Sequence, residues 1–222
     1  RQAHPRDATG KWRAICRFMA LSVACRLGMI DRRSAEHGPQ MKTLLHVGCG
    51  PQRKETTTPG FNTPEWQEIR LDIDVSVQPD IVGTMTDLSG VADASVDAVF
   101  SSHNIEHLYP HEVPVALAEF LRVLKSDGFA VITCPDLKSV CALVAQDRLT
   151  EPAYVSPAGP ISPVDILSGH RAAMQLGNLY MAHRCGFTDK VLGEYTPGQW
   201  RQIAVKTDKR QSELEASNKQ FD

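Results

Sequence analysis

The chain has 222 residues, of which 42% are apolar and 23% are charged, so it is long enough to form one domain with a substantial core. Its formal net charge of −2 indicates no nucleic-acid partner, and no run approaches the ~20 apolar residues of a membrane span. Its six cysteines form no C-x-x-C pair and no zinc-like spacing, so we predict reduced thiols, no metal site and a cytoplasmic protein.

The first forty residues differ in charge from the rest of the chain. Residues 1–40 contain eight Lys or Arg and three Asp or Glu, a balance of +5, whereas residues 41–222 contain 16 and 23, a balance of −7. Apolar residues recur at helical spacing over residues 11–30, which predicts a basic amphipathic helix. Such a helix is compatible with packing on the domain, with an extension of no function, with a membrane surface or with a targeting segment. We therefore expect an extension at 1–40, a domain at 41–206 and a polar, disordered tail at 207–222.

Strand-like and helix-like segments alternate through the predicted domain. The expected strands are residues 43–47, 68–73, 79–83, 95–101 and 129–134. The expected helices are residues 64–68, 111–125, 135–147 and 170–184. Two further strand-like runs, 190–195 and 200–205, flank the turn Thr196-Pro197-Gly198. This alternation predicts an α/β fold with a doubly wound, mostly parallel sheet, closed by a shortened C-terminal antiparallel strand pair.

The first predicted strand ends in the turn Gly48-Cys49-Gly50. Glycine lacks a Cβ, so the backbone there can adopt a positive φ and lie directly against a ligand. In open α/β sheets, ligands bind at the carboxyl ends of the strands, next to such a turn. The third glycine of a dinucleotide fingerprint is missing, since Gln52 stands there, and no Gly-Lys-Ser/Thr follows. The pattern therefore favours a nucleoside-like ligand without phosphates.

Acidic residues follow the second and third predicted strands. Asp72 lies about twenty residues beyond the glycine turn, where a carboxylate can accept hydrogen bonds from both hydroxyls of a ribose. Asp74 is a second candidate, and a solvated strand end is the alternative for both residues. Asp87-Leu88 follows the third strand, where a polar and an apolar group would suit the amine and the ring of adenine. A plain turn explains Asp87-Leu88 about as well.

Four motifs in this order resemble a class I S-adenosylmethionine-dependent methyltransferase over residues 43–136. The four motifs are Leu45-His46-Val47-Gly48-Cys49-Gly50, Leu71-Asp72-Ile73-Asp74, residues 97–108, which run from Asp97-Ala98-Val99 to Glu106-His107-Leu108, and Leu121-Arg122-Val123-Leu124-Lys125-Ser126-Asp127-Gly128. The resemblance implies a Rossmann-like methyltransferase fold with seven strands, S-adenosylmethionine as cofactor, and a small molecule or a protein as methyl acceptor. The sequence departs from the family pattern at His46, where an acid is common, and at Gln52.

The resemblance also implies where the cofactor binds. The cofactor would lie over the glycine turn, with its ribose on Asp72 and its adenine near Asp87 and Leu88. The full set of predicted cofactor-binding residues is Val47, Gly48, Cys49, Gly50, Asp72, Ile73, Asp87, Leu88, Ser102 and Asn104.

The loop after the fourth predicted strand holds the candidate catalytic residue. Methyl transfer depends mainly on holding a nucleophile in line with the sulfonium, and a general base helps when the acceptor must lose a proton. His103 is our candidate base, whereas Glu106 and His107 are expected to hold the loop. The same segment, His103-Asn104-Ile105-Glu106-His107, also matches the H-x-x-E-H motif of zinc peptidases, which requires a helix. A zinc hydrolase and a catalytically inactive S-adenosylmethionine-binding protein are therefore the alternatives to a methyltransferase.

Overall fold

The computed structural model describes residues 41–156, residues 159–195 and the backbone of residues 203–208. The helix predicted at 11–30 and most of the predicted tail lie outside the described residues, as does the turn Thr196-Pro197-Gly198. The proposed domain boundaries therefore stay predictions. No helix in the described part of the chain has both the length and the apolar content needed to cross a bilayer.

Six strands form one parallel sheet. The strands are β1 (Lys42–Val47), β2 (Trp66–Asp72), β3 (Ile81–Val82), β4 (Val96–Ser102), β5 (Leu124–Pro135) and β8 (Ile203–Asp208). They lie in the order β3-β2-β1-β4-β5-β8, which is that of a doubly wound sheet whose direction of winding reverses between β1 and β4. The predicted fold class is confirmed, with six strands in the described residues.

The remaining elements are short. Two strands, β6 (Tyr154–Ser156) and β7 (Gly159–Ile161), form a separate antiparallel pair. The α-helices are α1 (Val113–Val123), α2 (Leu137–Val144), α3 (Pro163–Ser168), α4 (Arg171–Gln175) and α5 (Asp189–Glu194). Single turns of 3₁₀ helix occur at Lys54–Thr56, Val75–Val77, Ile105–His107 and Leu179–Met181.

The two faces of the sheet are covered differently. On one face, α1 packs its buried residues against the strands, because Val113, Leu117 and Phe120 recur at helical spacing along it. On the other face, an aromatic cluster packs against the strands, with Phe61 and Trp66 edge to face and Phe61 close to Phe100. Phe61 comes from the connection between β1 and β2 and Trp66 from the start of β2, and both aromatic rings are buried.

Three predicted helices need correction. The helix predicted at 64–68 is wrong, because the chain enters β2 at Trp66 and the helical turn of this connection is instead Lys54–Thr56. The helix predicted at 170–184 covers only α4, after which Gly177 adopts a φ of +97° that a continuing helix cannot accommodate. The helix predicted at 111–125 is confirmed but shorter, because Leu124 already belongs to β5.

The predicted C-terminal antiparallel pair is wrong. Residues 190–195 lie largely in helix α5, where the Thr188 hydroxyl accepts a hydrogen bond from the N–H of Val191 and Leu192 is fully buried. The last strand, β8, pairs parallel with β5 and runs to Asp208, so an ordered strand continues past the predicted tail boundary at Lys206.

Candidate functional site

A cavity of about 560 Å³ opens at the carboxyl ends of β1, β2 and β4. Its volume lies within the range of small-molecule sites, and its position is the winding reversal between β1 and β4, where doubly wound sheets bind ligands. The predicted site residues in its lining are Val47, Gly48, Cys49, Gly50, Asp72, Ile73, Ser102, His103 and Asn104. Two predicted residues, Asp87 and Leu88, lie outside the lining.

The Asn104 side chain supports the glycine turn through hydrogen bonds. The Nδ2 atom of Asn104 donates to the carbonyl oxygens of Ser102 at 2.9 Å, Val47 at 3.1 Å and Gly48 at 3.2 Å. Gly48 has a φ of +63°, and a Cβ on it would overlap the Asn104 side chain. Glycine is therefore required at position 48 both by its backbone conformation and by this close approach.

Asp72 joins the turn after β1 to the end of β2. Its side chain is buried, and its Oδ2 atom accepts the N–H of Gly50 at 2.7 Å while its Oδ1 atom accepts the N–H of Asp74 at 2.9 Å. A carboxylate has about four lone-pair positions, so two remain for a ligand on the cavity side. Asp74 instead caps the 3₁₀ turn Val75–Val77, and its hydrogen bonds with Ser76 lower the pKa of Asp74.

Arg70 lies beneath the same loops and is a residue that sequence reasoning missed. Its guanidinium is buried and donates to the carbonyls of Gly50 and Gln52 in the turn after β1. It also donates to the carbonyls of Val77 at 3.2 Å and Gln78 at 2.8 Å in the connection after β2. One side chain thus fixes both loops that form this side of the cavity. In the sequence Arg70 stands between Ile69 and Leu71 in a strand that also contains other polar residues, so no distinct signal marks it.

His46, the departure from the family pattern, lies outside the cavity lining. The His46 side chain is buried. Its Nδ1 atom lies 2.8 Å from Glu68 Oε1, and its ring meets the Phe100 ring edge to face. Burial lowers the pKa of His46, against the raising effect of its hydrogen bond with Glu68. Burial also raises the pKa of the neighbouring Cys49 thiol to about 11, so this thiol in the lining is neutral.

Leu88 is bonded to helix α1 and Asp87 to the following turn, and neither lines the cavity. Leu88 is fully buried, and its N–H donates to Glu119 Oε2 at 2.7 Å while its carbonyl accepts from Arg122 at 2.8 Å. Asp87 accepts the N–H of Ser89, and this bond lowers the pKa of Asp87. The lining after β3 is formed instead by residues slightly earlier in the chain, Thr84, Met85 and Thr86.

The loop after β4 places His103 in the lining. His103 has a φ of +55°, an uncommon conformation for a residue other than glycine, and its side chain is 34% exposed. Its Nδ1 atom lies 3.5 Å from Glu106 Oε1. Only Ile105–His107 is helical here, as a single 3₁₀ turn, so the helical H-x-x-E-H arrangement of a zinc peptidase does not form.

A distant segment completes the cavity on the side of this loop. Asn178, Tyr180, Met181 and Arg184 line it, and none of these residues was predicted. The N–H of Arg184 donates to the carbonyl of Glu106 at 2.8 Å, and its guanidinium lies 4.8 Å from the centre of the Tyr109 ring. Because these contacts join residues more than 70 positions apart, no local pattern could have indicated them.

Residues 45–132 match the sequence profile of a family described as "Methyltransferase domain". Among solved structures, the chain is similar to a SAM-dependent methyltransferase from Archaeoglobus fulgidus, with 17% identity, a TM-score of 0.42 and coverage of 74% of this chain and 63% of that one. The chain thus spans less than two thirds of that protein's length.

Two other solved structures are similar at lower scores. One is 1,6-didemethyltoxoflavin-N1-methyltransferase from Burkholderia thailandensis, with 15% identity, a TM-score of 0.36 and coverage of 61% of this chain and 68% of that one. The other is PKMT2 from Rickettsia typhi, with 12% identity, a TM-score of 0.37 and coverage of 82% and 39%. No curated protein sequence matches the chain significantly. Residues 45–132 therefore match a methyltransferase domain, and the strand order is that of a doubly wound sheet.

Proposed function

We propose that the cavity binds S-adenosylmethionine and that the chain transfers its methyl group to a small-molecule or protein acceptor. The observation that carries this proposal is the joint placement of the glycine turn and Asp72 in one cavity, with the Asp72 carboxylate bonded to the N–H of Gly50. This arrangement offers a backbone surface and a carboxylate to the same ligand, as a nucleoside without phosphates requires. The matched family carries out this chemistry.

Each cofactor-facing residue has a distinct part in the proposed complex. The turn Gly48-Cys49-Gly50 lies against the nucleoside, and the free lone pairs of Asp72 accept the ribose hydroxyls. Ile73 is 39% exposed at the cavity edge and offers an apolar surface to the adenine ring. Thr84, Met85 and Thr86 take the part first assigned to Asp87 and Leu88 at the edge of the base.

The acceptor would enter beside the loop after β4. The sulfonium of the cofactor is already activated, so the main task of the protein is to hold the acceptor atom in line with the methyl group. His103, His107, Tyr180 and Arg184 line this part of the cavity. His103 is the proposed general base for an acceptor that must lose a proton, because its imidazole is in the lining and partly exposed.

Titration with S-adenosylhomocysteine, followed by calorimetry, tests the cofactor site. Asp72→Ala should weaken binding by at least about 100-fold, because two hydrogen bonds to a charged acceptor are lost and each is worth roughly 1.5–3 kcal/mol. Asp87→Ala is the matched control, since Asp87 is an exposed acid outside the lining, and should change affinity less than about threefold. Equal losses in both variants, or no binding by the intact chain, would contradict the proposed site.

Turnover is measured separately, as release of S-adenosylhomocysteine with candidate small-molecule and protein acceptors. His103→Gln should reduce turnover by about 100-fold, the usual contribution of a positioned base, while cofactor affinity stays within about threefold. Cofactor binding without turnover on any acceptor would support the alternative of an inactive binding protein. A turnover unchanged in His103→Gln would remove the base assignment alone.

A further inference from the structure

Glu106 is a buried acid without a hydrogen-bond partner in the described structure. Its side chain is 1% exposed, and neither carboxylate oxygen has a hydrogen-bond partner among the described residues. Burying a carboxylate without hydrogen bonds is costly, so such groups are normally paired or bound to a cation. The nearby imidazole of His103 is 3.5 Å away, too far for a strong hydrogen bond.

In each of two histidines beside Glu106, one ring nitrogen makes a hydrogen bond and the other is available to bind a metal ion. The Nδ1 atom of His107 donates to the carbonyl of Ala182 at 3.1 Å, and that of His183 donates to the carbonyl of Ile166 at 2.6 Å. Since a carbonyl can only accept, Nδ1 carries the proton in both rings and Nε2 carries a lone pair. A histidine that binds a metal through Nε2 is oriented in this way by a backbone carbonyl.

The three side chains converge on one point. Their candidate ligand atoms lie within 4.8 Å of one another, and the two imidazole rings are 4.9 Å apart between centroids. Three groups that only accept hydrogen bonds therefore face each other, an arrangement that a cation would stabilise. We propose that Glu106, His107 and His183 form a binding site for a Zn²⁺ ion.

The ligand set selects the type of ion. Two imidazoles and one carboxylate match the His₂Glu set of many zinc sites, whereas Mg²⁺ and Ca²⁺ prefer a shell of oxygen ligands. Tetrahedral zinc with bonds of about 2.1 Å would bring neighbouring ligand atoms to about 3.4 Å, so the ligand separations would shorten by up to about 1.4 Å on binding. A water can supply the fourth ligand.

This site differs from the zinc-peptidase motif in the sequence. That motif would use His103 and His107 on one helix with Glu106 as the base, whereas the structure recruits His183 from a segment 76 positions further along the chain. The ion would connect the loop after β4 to the segment that contains Arg184. It would thereby stabilise the part of the cavity wall that His107 and Arg184 form. The inference does not depend on the identity of the cofactor.

The test is a calorimetric titration of the intact, chelator-treated chain with Zn²⁺ alone, followed by thermal unfolding with and without the ion. We expect one ion per chain and an unfolding midpoint raised by about 5 °C. Glu106→Gln should weaken Zn²⁺ binding by about 100-fold and remove the Zn²⁺-dependent rise in the unfolding midpoint, because glutamine has the shape of glutamate without its charge. Without metal, Glu106→Gln should unfold at no lower temperature than the native chain, because it removes a buried unpaired charge.

His183→Gln and His111→Gln provide the second variant and the control. His183→Gln removes a ligand and should weaken Zn²⁺ binding as Glu106→Gln does, whereas exposed His111 lies outside the cluster and its replacement should have no effect. Co²⁺ added in place of Zn²⁺ should give the visible absorption of a tetrahedral site in the native chain and in His111→Gln, but not in Glu106→Gln or His183→Gln. Failure of the native chain to bind Zn²⁺, or binding unchanged in Glu106→Gln, would overturn the site. Cofactor binding measured on the same samples shows whether the cofactor site is intact.

Discussion

The two sides of the cavity are stabilised in different ways. The glycine-loop side, formed by residues 47–52 and 72–74, is held by hydrogen bonds between residues about twenty positions apart, such as Gly50 with Asp72 and Gly50 with Arg70. The distal side, formed by residues 103–108 and 178–184, is held by contacts across 75 or more positions, such as His107 with Ala182. The glycine-loop side uses Asp72 and Arg70 to satisfy backbone groups, whereas the distal side contains the unpaired carboxylate of Glu106.

This difference indicates a division of tasks. A loop whose backbone groups are already satisfied can be rigid before a ligand arrives, which suits a cofactor of fixed shape. The distal side depends on long-range contacts and contains a buried carboxylate without a hydrogen bond, which a bound ion would stabilise. We therefore expect substitutions on the glycine-loop side to act on cofactor affinity, and those on the distal side to act on ion binding and turnover.

The largest effect is expected from Gly48→Ala. The φ of +63° disfavours any L side chain, and the added Cβ overlaps the Asn104 side chain, so the turn must shift away from the cofactor. Affinity for S-adenosylhomocysteine, measured by calorimetry, should fall by about 100-fold or more. Gly193→Ala is the control, because that position has an ordinary φ and open space around its Cα. Unchanged affinity in Gly48→Ala would show that the glycine-loop side is not rigid.

Next in size is the effect of Arg70→Met on stability. The substitution leaves four backbone carbonyls without their donor, so the free energy of unfolding should fall by about 3 kcal/mol, measured by urea denaturation. Arg148→Met removes an arginine whose ion pair with Glu151 is at the surface and should cost less than about 1 kcal/mol. If the two variants were equally stable, Arg70 would not be the link between the two loops.

A smaller effect is expected from Asn104→Ala, which removes the contact between the two sides. Loss of its three hydrogen bonds to backbone carbonyls should weaken S-adenosylhomocysteine binding by about tenfold, because the glycine turn loses its support but keeps Asp72 and Arg70. The control is Asn62→Ala at an exposed position, which should leave the affinity unchanged. A loss as large as that of Gly48→Ala would mean that Asn104 contacts the cofactor directly.

The smallest effect is a pH dependence that arises from His46. Because burial lowers the pKa of His46 below its ordinary value of 6.5, the unfolded chain binds a proton more readily than the folded chain. The free energy of unfolding should therefore fall as the pH decreases through 6.5, until the lower pKa of the folded state is reached. His46→Asn should reduce this decrease, and His111→Asn should not. A steeper decrease in His46→Asn would contradict the lowered pKa. Burial lowers the pKa of His183 as well, so some pH dependence should remain.

Much of the glycine-loop side could be predicted because its residues lie close to strand ends. Gly48 directly follows β1, Asp72 ends β2 and Asn104 comes two residues after β4, and parallel strands bring their carboxyl ends to one edge. The positions of Asp87 and Leu88 could not be predicted in the same way. The chain turns at Thr84, whose backbone pairs with Asp87, and so directs the next residues toward Glu119 on α1. The helix α5 had a local signal in Thr188 and Asp189, which outweighs its strand-like composition.

The sequence by itself determined the alternation of elements, the glycine turn and the resemblance to methyltransferases, because strand patterns and turn chemistry depend on neighbouring residues. Only the tertiary structure decided what surrounds them. It placed the charged Arg70 under both loops, directed His46 away from the cavity, and brought His183 to Glu106 and His107. These placements depend on the packing of segments far apart in the chain, which no local pattern encodes.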